Sequence, residues 1–139
     1  MNIYNNLNKE EKYCLLVRKL KDSFIFFNDD LLEVFPNCNN LFLQRIITHQ
    51  LPDTSLYKIL NKNISIKHID NKDIFYLKNN LIFLKDYELY LNEHQTQKYF
   101  IFKEICEINS FSFDENMEMI WKWLEIISTL IKNINILLQ

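Results

Sequence analysis

The sequence predicts an α+β domain, with an N-terminal helix, a mostly antiparallel sheet interrupted by a short middle helix, and a long C-terminal helix. Three observations carry that expectation. Ile74-Phe75-Tyr76-Leu77-Lys78 and Leu81-Ile82-Phe83-Leu84-Lys85 are aromatic and β-branched runs separated by Asn79-Asn80, and Asn is the best non-glycine residue for the positive φ of a two-residue hairpin turn. Both faces of such a hairpin are apolar, so each needs a cover. Finally, Met117, Ile120, Trp121, Leu124, Ile127, Ile131, Ile134 and Leu138 recur at helical spacing for about six turns.

From the N-terminus, Asn8 followed by Glu11 makes a capping-box start. Tyr13, Leu16, Val17 and Leu20 then line one face of a helix over about 8–22. Ser23-Phe24-Ile25-Phe26-Phe27, closed by Asn28-Asp29-Asp30, reads as a strand and turn, and Leu31 to Phe35 is a further short apolar run ended by Pro36-Asn37. Leu41 to Leu51 fits either a strand or a helix and stops at Pro52. Asp53-Thr54-Ser55 supplies N-caps for a short helix with Leu56, Ile59 and Leu60 on one face.

Ile64, Ile66 and Ile69 open the strand region that contains the hairpin. Tyr87, Leu89 and Leu91 alternate with polar residues as in a half-buried strand, 92–98 reads as a loop, and Phe100, Phe102 and Ile105 to Ile108 as another strand. A second capping box, Ser112 with Glu115, starts the last helix over 115–138, with Glu115 and Glu118 at its positive end and Lys132 near its negative end. With 139 residues and no linker or repeat, residues 1–139 form a single domain with enough chain for a real core.

Composition narrows function mainly by exclusion. The chain has no glycine, which removes phosphate-cradling loops, dinucleotide fingerprints and nucleophile elbows together. Its 16 basic residues are dispersed among 18 acidic ones for a net charge of −2, so no basic face for nucleic acid is expected. Cys14, Cys38 and Cys106 are widely spaced and odd in number, as suits a reducing cytoplasm. His49, His68 and His94 lie apart from each other and from cysteine, and Asp29-Asp30 suits a turn. No metal, cofactor or catalysis is expected. Neither a secretory leader nor an apolar run of membrane-spanning length is visible. Trp121 belongs to the stripe of the last helix. Trp123, about 200° further round, points elsewhere, either as a contact for a partner or as a boundary residue under a loop.

The order of elements resembles the class I type III secretion chaperones. Leu41-Phe42-Leu43 leading to Leu51-Pro52-Asp53 and Leu56-Tyr57-Lys58-Ile59-Leu60-Asn61 looks like that family's third strand, loop and second helix, and Phe113-Asp114 opening onto Ile120 to Ile131 looks like its last helix. The absence of glycine and a pI of about 5.9 depart from the family's habit. The resemblance implies a cytoplasmic homodimer paired through Leu56, Ile59 and Leu60. It also implies a secreted effector held in extended form against Val17, Leu20, Ile25 and Phe27, with Ile25 and Phe27 on one strand face and main-chain bonds to a strand edge. The alternative is an immunity or inhibitor protein that masks a toxin or enzyme.

Overall fold

The computed structural model describes residues 3–79, 81 and 100–139, and every regular element among them is helical. A 3₁₀ turn at Ile3–Asn6 precedes α1 (Lys9–Val34), α2 (Asn39–Gln50), α3 (Asp53–Asn63), α4 (Ile66–Asp70), α5 (Ile74–Asn79), α6 (Ile101–Ile108), α7 (Ser110–Glu115) and α8 (Met117–Leu138). The α+β expectation is therefore corrected to a helical bundle. The expected strands at 23–27, 64–69, 74–78 and 100–108 lie in helices or their connections. The second arm of the hairpin from Ile82 on, the strand at Tyr87, Leu89 and Leu91 and the loop 92–98 fall outside the described residues.

The reason for the largest correction is visible in α1. Its capping box is formed as expected, with the Glu11 amide donating to Asn8 Oδ1 at 2.8 Å and the Asn8 amide donating to Glu11 Oε1 at 3.4 Å. The helix does not stop at Asp22, because Val17, Leu20, Phe24, Phe27 and Leu31 follow at steps of three and four and are all buried. That spacing continues one face through the aromatic run, and burying it outweighs the strand preference of Phe and Ile. Ile25 and Phe27 are about 200° apart on a helix and share no face.

Local capping explains α4 and α5. Ser65 Oγ accepts from the His68 amide at 3.5 Å, and Asp73 Oδ1 accepts from the Tyr76 amide at 3.0 Å. Between them the Asp73 amide donates to His68 O and the Lys72 amide to Ile69 O, both at 3.0 Å. This six-to-one closure of a helix end is a Schellman turn with Lys72 at the left-handed position, φ 49°. Glycine ordinarily stands there, and this chain has none. At the other end of the chain, the start expected at Ser112 is displaced. Asn109 Oδ1 caps α7 by accepting from the Ser112 amide at 3.1 Å, and α8 begins after Asn116.

α1 is the centre of the bundle, with α8, α2 and α3 packed along it, while α4 also meets α8, and α5, α6 and α7 pack in sequence. The α8 stripe of Ile120, Trp121, Leu124, Ile127, Ile131 and Ile134 is buried as expected, but against helices and not a sheet. Phe102 connects α6 to this core through rings at 6.1 Å from Phe27 and 6.4 Å from Phe113. The α1–α2 interface includes polar groups. Gln44 Nε2 donates to Asn28 Oδ1 at 2.6 Å, Asn28 Nδ2 to Phe24 O at 2.7 Å and Thr48 Oγ1 to Gln44 O at 2.7 Å, all buried. Lys21 Nζ reaches from α1 to Leu51 O at 2.6 Å and His49 O at 3.3 Å, satisfying carbonyls at the end of α2.

Substitutions at two positions test this fold. Phe26 lies in the middle of α1 but is 56% exposed, so Phe26→Ala should change stability by less than about 0.5 kcal/mol, whereas Phe26→Pro should cost roughly 3 kcal/mol or more. Equal urea midpoints for the two variants would mean that 23–27 is not helical. Lys72→Gly should raise stability by about 0.5–1 kcal/mol, since relief of the left-handed strain exceeds the entropy glycine adds to the unfolded chain, and the exposed Lys72–Glu125 pair it removes, at 3.6 Å, contributes little. A lower urea midpoint would contradict the turn geometry.

Candidate functional site

The closest approach to a catalytic constellation lies where α3, α4 and α5 meet. Ser65 Oγ is 2.6 Å from His68 Nδ1, and His68 Nε2 is 4.0 Å from Asp73 Oδ2. The His68 ring stacks on Tyr76 with centroids 4.6 Å apart, and the Tyr76 hydroxyl accepts from the Ser65 amide at 2.8 Å and donates to Asn63 O at 3.3 Å. Ser, His and Asp are the residue types of hydrolytic chemistry, but the Ser65 hydroxyl is engaged as the cap of α4, and His68 and Asp73 are beyond hydrogen-bond reach. Each of these bonds fixes a turn or a helix start, and the cluster is the clasp that holds α5 to the end of α3.

Burial pushes the Tyr76 phenol up, opposed by the Ser65 amide, and it pushes Tyr57 up with a smaller push from Tyr13. The Cys38 thiol is likewise raised, first by burial, against the lowering effect of the Leu41 amide, with Glu104 adding to the rise. Cys38 Sγ donates to Glu104 Oε1 at 3.7 Å and Asn40 Nδ2 to Glu104 Oε2 at 2.8 Å, an anchor between α2 and α6. A raised thiol is a poorer nucleophile at neutral pH. Cys14 is exposed and Cys106 half-buried, and all three cysteines are free. His49 is exposed at the end of α2, His94 lies outside the described residues, and no three His, Cys, Asp or Glu side chains among the described residues gather as metal ligands.

The residues expected to bind a partner are placed differently from one another. Val17, Leu20 and Phe27 are buried in the protomer's own core, and Ile25 is half-buried. Leu56, Ile59 and Leu60, expected at a dimer interface, are also buried within the protomer together with Tyr57, which leaves the outward face of α3 polar. No strand edge exists among the described residues for an extended peptide to join.

A different surface is open beside α1 and α8. Met119, Trp123, Ile126 and Leu130 recur at steps of four, three and four, forming a second apolar row on α8 beside its buried stripe. Met119, Trp123 and Leu130 are half-buried and Ile126 is 37% exposed. The row's first three residues line a cleft of about 580 Å³ with Asp30 of α1, Glu115, Asn116, Glu118 and Lys122. Trp123 is fixed in it, its ring 6.4 Å from Phe27 and its Nε1 donating to Asp30 Oδ2 at 2.6 Å. One turn before Asp30 stands the exposed Phe26.

Trp123 is the member of this surface that sequence reasoning noticed. The others were missed, although the three-and-four spacing of 119, 123, 126 and 130 is readable without coordinates. Phe26 was hidden by reading 23–27 as a strand. Comparison with known proteins finds no matching family model, no matching curated protein and no matching solved structure. No described helix is long and apolar enough to cross a membrane.

The raised phenols and thiol give a pH expectation with a definite sign. Folding favours the protonated form of each, so the unfolded chain loses its proton first. The stability these groups contribute is complete below their ordinary values, 9.0 for Cys and 10.0 for Tyr, and is lost as pH rises from there through the raised folded values. The urea midpoint should hold from pH 7 to roughly pH 8 and then fall, with a shallower fall in Tyr76→Phe. An unchanged slope in that variant would remove Tyr76 from the account.

Proposed function

We propose that this protein is a non-catalytic protein-binding module whose working surface is the cleft between α1 and α8. The observation that carries this reading is the second apolar row of α8, which the fold leaves half open beside a fixed Trp. Met119, Trp123 and Leu130 pack against the core with part of each side chain, yet the row stays partly open and Ile126 is exposed, and partly open aromatic and Met side chains are the composition of interface centres. The three free cysteines support a reducing, cytoplasmic setting.

Selection from a displayed peptide library provides the test, with the Met119→Ser, Ile126→Ser double variant as counter-target. Both positions are partly open, so the variant should keep its helical circular dichroism while losing most of its selected clones, by about tenfold or more in affinity. Clones that bind wild type and variant equally would place the binding surface elsewhere and end this reading.

A further inference from the structure

The cleft has a charge pattern that apolar burial does not require. Of its charged residues, Asp30, Glu115 and Glu118 are acidic and Lys122 alone is basic. Glu33, outside the cleft's lining but one turn after Asp30 on α1 and exposed, is the next acidic residue along that helix, and neither it nor Glu115 nor Glu118 forms an ion pair with a described residue. Glu115 and Glu118 stand where the positive end of α8 favours them. Asp30 and Glu33 stand in the last two turns of α1, where the helix dipole disfavours a carboxylate and no basic residue offsets it. Asp29, beside them, is answered by Arg45. Asp30 is held there by the Trp123 indole, so Glu33 is the carboxylate on the α1 side that stands against local helix electrostatics with no described bond to account for it, a departure of the kind found at functional surfaces.

Resting on the binding-module reading, we propose that the occupant of this cleft is a basic amphipathic helix. Its apolar side chains at i, i+3, i+4 and i+7 would seat on Met119, Trp123 and Ile126, and its Lys or Arg residues would face Glu33, Glu115 and Glu118. A row spaced by fours and threes on α8 is the complement of such a helix, since ridges of that spacing interlock. The acidic edge speeds encounter and selects against acidic helices, while the apolar row provides the dwell time.

The probes are three fluorescein-labelled peptides of roughly 18 residues, long enough to populate a helix. One has Leu at the amphipathic positions and Lys elsewhere, one has the same pattern with Glu for Lys, and one is the Leu/Lys composition scrambled. Anisotropy titrations should show the patterned Leu/Lys peptide binding about tenfold or more tighter than the other two, and weakening several-fold as salt shortens the screening length. The Glu33→Gln, Glu115→Gln, Glu118→Gln triple variant, with unchanged circular dichroism, should lose most of the preference for Lys over Glu. Met119→Ser with Ile126→Ser should weaken the patterned peptide while leaving the salt dependence. Equal binding of the Leu/Glu peptide would overturn the charge assignment yet leave a binding cleft. Equal binding of the scrambled peptide would reduce the surface to a charge patch, and undiminished affinity in the triple variant would place the charge recognition elsewhere. No binding by any peptide would overturn the proposed occupant, whereas the library selection judges the module reading by itself.

Discussion

The structure depends on one continuous apolar face of α1. Leu16, Val17, Leu20, Phe24, Phe27 and Leu31 are buried along it, and α2, α3 and α8 all reach the core by lying against this helix. Short helices are marginal alone, and α4, α5 and α7 are only five or six residues long. They persist because α8, packed along α1, and α6, joined to α1 through Phe102 and Phe27, give their few apolar residues, such as Ile69, Leu77 and Phe113, a place to be buried. Removing the α1 face would remove the support on which the others are organised.

How much of this was legible follows from the length of each pattern. α8 has room for six buried apolar positions, and a period repeated that often reads only one way. The start of α1 was legible for a different reason, since the Asn8–Glu11 capping box specifies a backbone geometry by itself. Five-residue runs such as Ser23 to Phe27 and Ile74 to Lys78 hold little more than one helical turn, and in such a window a period of two and a period of 3.6 are indistinguishable. There, aromatic and β-branched preference pointed to strand, and the tertiary core decided for helix. The resemblance to export chaperones was carried by Leu41 to Asn61 and Phe113 to Ile131, and the strands it implies among the described residues are helices or their connections.

The candidate surface beside α1 and α8 was half legible. Trp123 stood out because it could not join the buried stripe, and the structure gives it a position between core and solvent, held by Asp30 and stacked on Phe27. What hid its neighbours was the breadth of apolar composition, with 48% of the chain hydrophobic. In so apolar a chain a second row on a helix is easily taken for more core. The distinction is made only when the neighbouring helix is placed and found to cover one row fully and the other in part.

The buried amides between α1 and α2 have a consequence for how uniquely the chain folds. Leucine-rich helices can slide past each other by a turn, about 5.4 Å, and still bury similar area. Here such a slip would part Gln44 Nε2 from Asn28 Oδ1 in an apolar interior, Asn28 keeping only its Nδ2 bond to Phe24 O within α1, and each orphaned group would cost on the order of 1–3 kcal/mol. Gln44 Oε1 already lacks a partner among the described residues, so the network is tolerated more for discrimination than for strength. It acts as a key between two greasy surfaces, admitting one alignment of α2 and rejecting its near neighbours.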